Sequence, residues 1–163
     1  MPECDASPVE VDVEVVADAG DLPVGADFVG WVTTALSTAH GGPQFQAGVV
    51  GVRIVGAAEG SELNSTWRSK EGPTNVLAFP GPAGLPEGMP REYGDLVICL
   101  PVVEREAAEQ GKPAVNHLAH LVVHGTLHLL GHTHDEEDDA ARMEALETRI
   151  LAGLGIPDPY LVK

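Results

Sequence analysis

Residues 113–134 read PAVNHLAHLVVHGTLHLLGHTH. Leu121, Leu127 and Leu130 return at a spacing that lets a helix pack on a sheet. Pro113 suits a first helical turn, and Gly131 suits a C-terminal cap, so a helix is predicted over 113–130. Six of the chain's seven histidines fall between 117 and 134. A helix advances about 100° per residue, so His124 and His128 share one face, one turn apart. Imidazoles so placed can both reach one metal ion at roughly 2.0–2.1 Å. Glycine tolerates positive φ, so the chain can turn at Gly131 and bring His134 to the same ion. Three protein ligands leave a fourth position for water or substrate, as in catalytic rather than structural zinc.

The spacing H-x-x-x-H-x-x-G-x-x-H is that of metzincin peptidases, but Gly125 stands where those enzymes carry their glutamate general base. The pattern therefore points to a metal site and away from peptidase chemistry. A lone histidine is most often a core or surface residue with a satisfied hydrogen bond, and His40 and His117 are read that way. His120 lies one turn before His124 on the same stripe. It is read as a support behind the metal ligands, with a substrate contact or packing as alternatives. His132 falls in the turn and is ambiguous.

The 163 residues fit a single domain over 1–163, large enough to bury a core. No apolar run approaches the ~20 residues of a membrane span. The polar, acidic start at 1–8 has no secretory pattern, so a cytoplasmic protein is expected. Cys4 and Cys99 form no Cys-x-x-Cys pair, which excludes a cysteine zinc ribbon. Cys99, in an apolar run, is read as a buried thiol. The net charge is −16, with 25 acidic against 9 basic residues. Such a balance opposes nucleic-acid binding by bulk electrostatics, so any contact must come from a local basic site or a partner.

Upstream of the histidine helix, 9–17 alternates apolar and acidic residues, as a half-buried strand does. Residues 26–39 carry Phe28, Trp31, Val32, Ala35 and Leu36 at helical spacing. Strands are predicted at 46–56, 74–79 and 95–100, a short helix at 61–68, a loop over 81–91 and a helix over 102–110. The acidic run 135–139 opens a last helix reaching about 151. Four strands come early and the longest helices late, giving an α+β domain.

The segment HGTLHLLGHTH (124–134) resembles the signature H-G-x-L-H-L-x-G-Y-D-H of the YbeY family, bacterial endoribonucleases of ribosomal RNA maturation. LNSTWRSKEGPTNVLAFP (63–80) and YGDLVIC (93–99) are similar to two further blocks of that family, in the family's order. The resemblance implies a compact domain with a small mixed sheet flanked by helices and a metal-binding helix in a cleft. It implies one zinc on His124, His128 and His134, and a single-strand-specific endoribonuclease acting in 16S rRNA 3′-end maturation and ribosome quality control. Single-stranded ribosomal RNA and ribosomal proteins or assembly factors are the implied partners, with no membrane and no DNA. Arg68 matches the arginine assigned to the family's RNA chemistry. The chain departs from the family at His132 and Thr133 (tyrosine and aspartate there), Asn75 (aspartate) and Ala78 (serine).

In this reading the metal polarises a phosphoryl oxygen and lowers the pKa of water. Arg68 clamps the scissile phosphate. Arg68 and His124 are thus the expected catalytic residues. Asp95 is a candidate helper, though a Gly-Asp pair before a strand is more often a turn. Arg53, Arg68 and Lys70 are expected to form a small positive strip that binds RNA weakly and in a salt-sensitive way. Two other classes stay open: a zinc hydrolase of peptides or amides, and a non-catalytic ribosome-assembly factor with a structural metal, for which His120 would be a fourth ligand. Imidazole also suits nickel, copper and iron.

Overall fold

The β-branched run GVVGVRIV forms an inner strand of a four-stranded sheet. The computed structural model describes residues 9–16, 22–40, 48–56, 76–81, 91–130 and 137–156, the side chains at 40, 91 and 137–140 excepted. Within them the strands are β1 (Val9–Val15), β2 (Gly48–Val55), β3 (Val76–Pro80) and β4 (Arg91–Cys99). The helices are α1 (Phe28–His40), α2 (Leu100–Gln110), α3 (Ala114–Leu129) and α4 (Glu137–Gly153). The sheet order is β1-β2-β4-β3. β1, β2 and β4 run parallel, and β3 pairs antiparallel with β4. This is the mixed-sheet α+β domain expected from the sequence.

Side chains alternate across a strand, and the register sorts them into two faces. Val50, Val52 and Ile54 of β2 lie level with Gly94, Leu96 and Ile98 of β4. The side chains among them are buried in the core with the helices. Gly51, Arg53, Asp95 and Val97 occupy the opposite face. On the covered face, α3 packs against α1, α2, α4, β3 and β4. Its Leu118, Ala119, Val122, Val123 and Leu127 are fully buried, and each buried leucine or valine stabilises the fold by roughly 1.5–3 kcal/mol.

The helix comes closest to the sheet at Gly125. A Cβ there would stand 2.7 Å from Leu96 Cδ2 and 3.4 Å from Val76 Cγ2, and Leu96 is itself fully buried. A second glycine shapes β4. Gly94 has φ +134°, and a Cβ on it would run into the Phe79 carbonyl oxygen and Leu129. The β2–β4 register slips between Val49 and Val50, leaving Tyr93 as the extra residue of a bulge. Gly94 therefore continues a bulged strand instead of closing a turn. β4 begins at Arg91, earlier than the predicted 95, and Asp95 is a strand residue.

Other boundaries shift for local reasons. β1 is an edge strand: Val9 is buried, but Val13 and Val15 are 40% and 42% exposed, so the alternation yields burial only at its start. α1 starts at Phe28 because Asp27 Oδ1 accepts the Gly30 N–H at 3.0 Å. α2 starts at Leu100, with Pro101 in its first turn and Gly111 closing it at φ +69°. Leu130 is the C-cap of α3, and Gly131 lies outside the described residues, as do the predicted helix at 61–68, most of the loop 81–91 and Cys4. The Cys99 thiol is buried and donates to the Gly56 carbonyl at 3.6 Å. No helix among the described residues is long and apolar enough to cross a membrane.

Between α2 and α3, His117 Nε2 lies 2.9 Å from Glu106 Oε1. Burial lowers the His117 pKa below its ordinary 6.5, against the opposing hydrogen bond to Glu106. The folded-state value thus lies below the unfolded one, and protonation favours the unfolded chain. The associated stability is present above about pH 6.5 and is lost as pH falls through the folded pKa. The metal-free Tm should fall between about pH 7 and pH 5, and His117→Gln should flatten that slope; parallel slopes by circular dichroism would remove His117 as a cause. Gly125→Glu should cost on the order of 3 kcal/mol or more, through overpacking against Leu96 and an unpaired buried carboxylate. A melting curve indistinguishable from wild type would contradict the close approach of α3.

A candidate metal centre

His117, His120, His124 and His128 recur every three or four residues and so form one stripe along α3. Successive ring centroids stand 6.3, 6.3 and 4.6 Å apart. His117 faces α2, and at His120 and His124 the stripe meets Glu147 of α4. The Glu147 carboxylate is fully buried. Its Oε1 lies 2.7 Å from His120 Nε2 and its Oε2 lies 2.9 Å from His124 Nδ1. A buried carboxylate is costly unless charge-assisted hydrogen bonds replace its water. Here each oxygen meets one imidazole nitrogen.

That contact decides which nitrogen His124 has available. An ionised carboxylate only accepts; facing one, His124 donates from Nδ1 and keeps its lone pair on Nε2. Nε2 of His124 points at Nε2 of His128, 3.1 Å away. Two ring nitrogens this close share either a proton or a cation. Two nitrogens bound at roughly 2.0–2.1 Å in tetrahedral geometry stand about 3.3 Å apart. The pair stands near that spacing, which an N–H···N hydrogen bond also satisfies, and imidazole donors suit zinc and other transition metals. His120, His124 and Glu147 form a second, overlapping group that could hold an ion, their ligand atoms lying within 4.8 Å of one another.

The structure brings His124 and His128 together as the helical spacing predicts. His134, Arg68, Lys70, Asn75, His132 and Thr133 lie outside the described residues. Asp95 lies on the sheet face turned away from α3, because its neighbour Leu96 is the residue that meets Gly125. Of the expected positive strip, only Arg53 lies among the described residues. Arg53 pairs with Glu14 at 3.1 Å, on a face that also carries Asp12, Glu92 and Asp95. Gly125 packs on the sheet, so the position of a metzincin general base has no room for a carboxylate.

Glu147 was not singled out from the sequence, yet a signal was there. In α4 it falls four residues after Met143 and three or four before Ile150 and Leu151, all of them buried. An acid on the apolar stripe of a helix is rarely left unpaired.

Comparison with known proteins gives the family. The family model described as endoribonuclease YbeY matches residues 21–155. An endoribonuclease YbeY of Alkalilimnicola ehrlichii is 55% identical over 160 residues, covering 96% of this chain and 93% of that protein. One of Stutzerimonas stutzeri is 48% identical over 158 residues, covering 93% and 91%. A Thermotoga maritima protein solved in solution shares the fold, with TM-score 0.52, 22% identity and coverage of 94% of this chain and all of that one. By its matched residues and its relatives, the chain belongs to the endoribonuclease YbeY family.

Proposed function

We propose that this protein is a zinc-dependent, single-strand-specific endoribonuclease of the cytoplasm, acting on ribosomal RNA in 16S 3′-end maturation and ribosome quality control. The observation that carries the metal part is the His124–His128 pair, with facing Nε2 atoms at 3.1 Å and the far side of His124 held by Glu147. The relatives named endoribonuclease carry the reaction class.

His124 and His128 would hold the ion through Nε2, with His134 as third ligand. The bound ion would supply Lewis acidity toward a phosphoryl oxygen and ease deprotonation of water. The remaining work belongs to the chain. Arg68 would grip the scissile phosphate with a planar fork of donors and stabilise charge as it develops. The core of α3 keeps the histidine stripe rigid, so ligand geometry is set before RNA arrives. With a net charge of −16, RNA is held weakly and locally, and ribosomal proteins or assembly factors would deliver the substrate.

A second reading rests on the His120–His124–Glu147 group. An ion there would be enclosed and structural, and the protein would be a non-catalytic assembly factor.

Metal analysis of the purified chain separates these readings. About one zinc per chain is expected, lost in His124→Ala, His128→Ala and His134→Ala but kept in His120→Ala. Cleavage of single-stranded ribosomal RNA fragments should stop in the three ligand variants. It should fall on the order of 100-fold or more in Arg68→Ala with zinc retained. A folded wild-type chain that takes up no metal sinks the proposal. Zinc that survives His128→Ala but not His120→Ala favours the structural ion.

A further inference from the structure

A carboxylate buried on the apolar face of α4 calls for an explanation beyond stability. Replacing a buried ionic group by apolar side chains of similar volume is often neutral or stabilising. Glu147 nevertheless sits fully buried between Met143 and Ile150, where an aliphatic side chain would pack. Its two oxygens reach two different turns of α3, at 2.7 Å to His120 and 2.9 Å to His124. The contacts are not interchangeable. His120 is the more enclosed ring, its side chain 13% exposed, whereas His124 is 21% exposed. On the far side of His124, Nε2 faces His128.

We propose that Glu147 is a positioning residue for the metal centre. Braced by His120 through Oε1, it fixes the His124 ring and its tautomer through Oε2, so that Nε2 presents its lone pair beside His128 Nε2. The inference rests on the reading of His124 and His128 as metal ligands, and it assigns Glu147 and His120 to holding a ligand rather than touching the ion. The carboxylate serves this role because, when ionised, it accepts only, which favours the His124 tautomer with its proton on Nδ1. A helix-borne side chain also pins the ring more tightly than a loop residue would.

The test uses the full chain, stripped of metal and titrated with zinc against a competing chromophoric chelator. Glu147→Gln keeps the shape and removes the charge. It should bind about one zinc per chain with a Kd raised roughly 10- to 100-fold. Its far-UV circular dichroism should match wild type, and its cobalt(II) derivative should keep the wild-type band positions. Equal zinc affinities in wild type and Glu147→Gln overturn the inference. So does a cobalt spectrum that reports a lost oxygen ligand, because Glu147 would then touch the metal itself. His128→Ala is the control for the underlying reading: if it binds zinc as wild type does, the ligand assignment fails and the inference falls with it. A second measurement needs no variant. Long-range proton–nitrogen correlation spectra of the metal-free wild type should show His124 protonated at Nδ1 and bare at Nε2. A proton on Nε2 overturns the inference even if Glu147→Gln does not fold.

Discussion

Helix α3 is buried on nearly every side, and the rest of the structure is arranged around that constraint. A helix hydrophobic all round is an ordinary core element. This one also carries a stripe of four histidines, whose ring nitrogens need partners once removed from water. The neighbours answer at least one nitrogen of each ring. α2 brings Glu106 to His117, α4 brings Glu147 to His120 and His124, and His128 meets His124 itself. Gly125 makes this possible from the opposite side. Without a side chain there, α3 sits directly on Leu96 and Val76. The polar stripe is thereby turned toward helices that can answer it.

The same contact sorts the chemistry available to the fold. The residue after the first histidine of the motif points into the sheet, so a carboxylate cannot act from that position as it does in metzincins. Acidic groups near the site come instead from other helices and approach the rings from behind. The open face of the sheet is a different environment, with Arg53 tied to Glu14 among further carboxylates. Among the described residues that face carries more negative than positive charge.

Much of this was legible in the sequence, and the limits have physical causes. The α3 period, Pro113 before it and the four-residue step from His124 to His128 are local signals, and local signals read well. β4 was read late because glycine marks turns and bulges alike, and only the pairing of β2 with β4 shows that Gly94 follows a bulged residue. The burial of β1 was overstated because alternation reveals a face but not whether the strand lies at an edge. Glu147 was overlooked for a related reason. The acidic run at the start of α4 is explained by the helix dipole. The meaning of an acid in the apolar stripe depends on which helix crosses there, and that is a tertiary fact.

The charge of the chain gives the histidine ligands a further significance under the proposed function. Carboxylate ligands would neutralise a divalent cation, whereas neutral imidazoles leave its charge almost intact. On a protein of net charge −16, an ion held by three histidines would be a concentrated source of positive potential for a phosphate. Glu147 lies behind His124 rather than toward His128, so its negative charge acts through the ring. It can fix the ligand's orientation with less cost to the field at the open coordination position than direct ligation would bring. An acidic protein can then act on RNA without a broad basic surface, with attraction confined to the place where the phosphate must react.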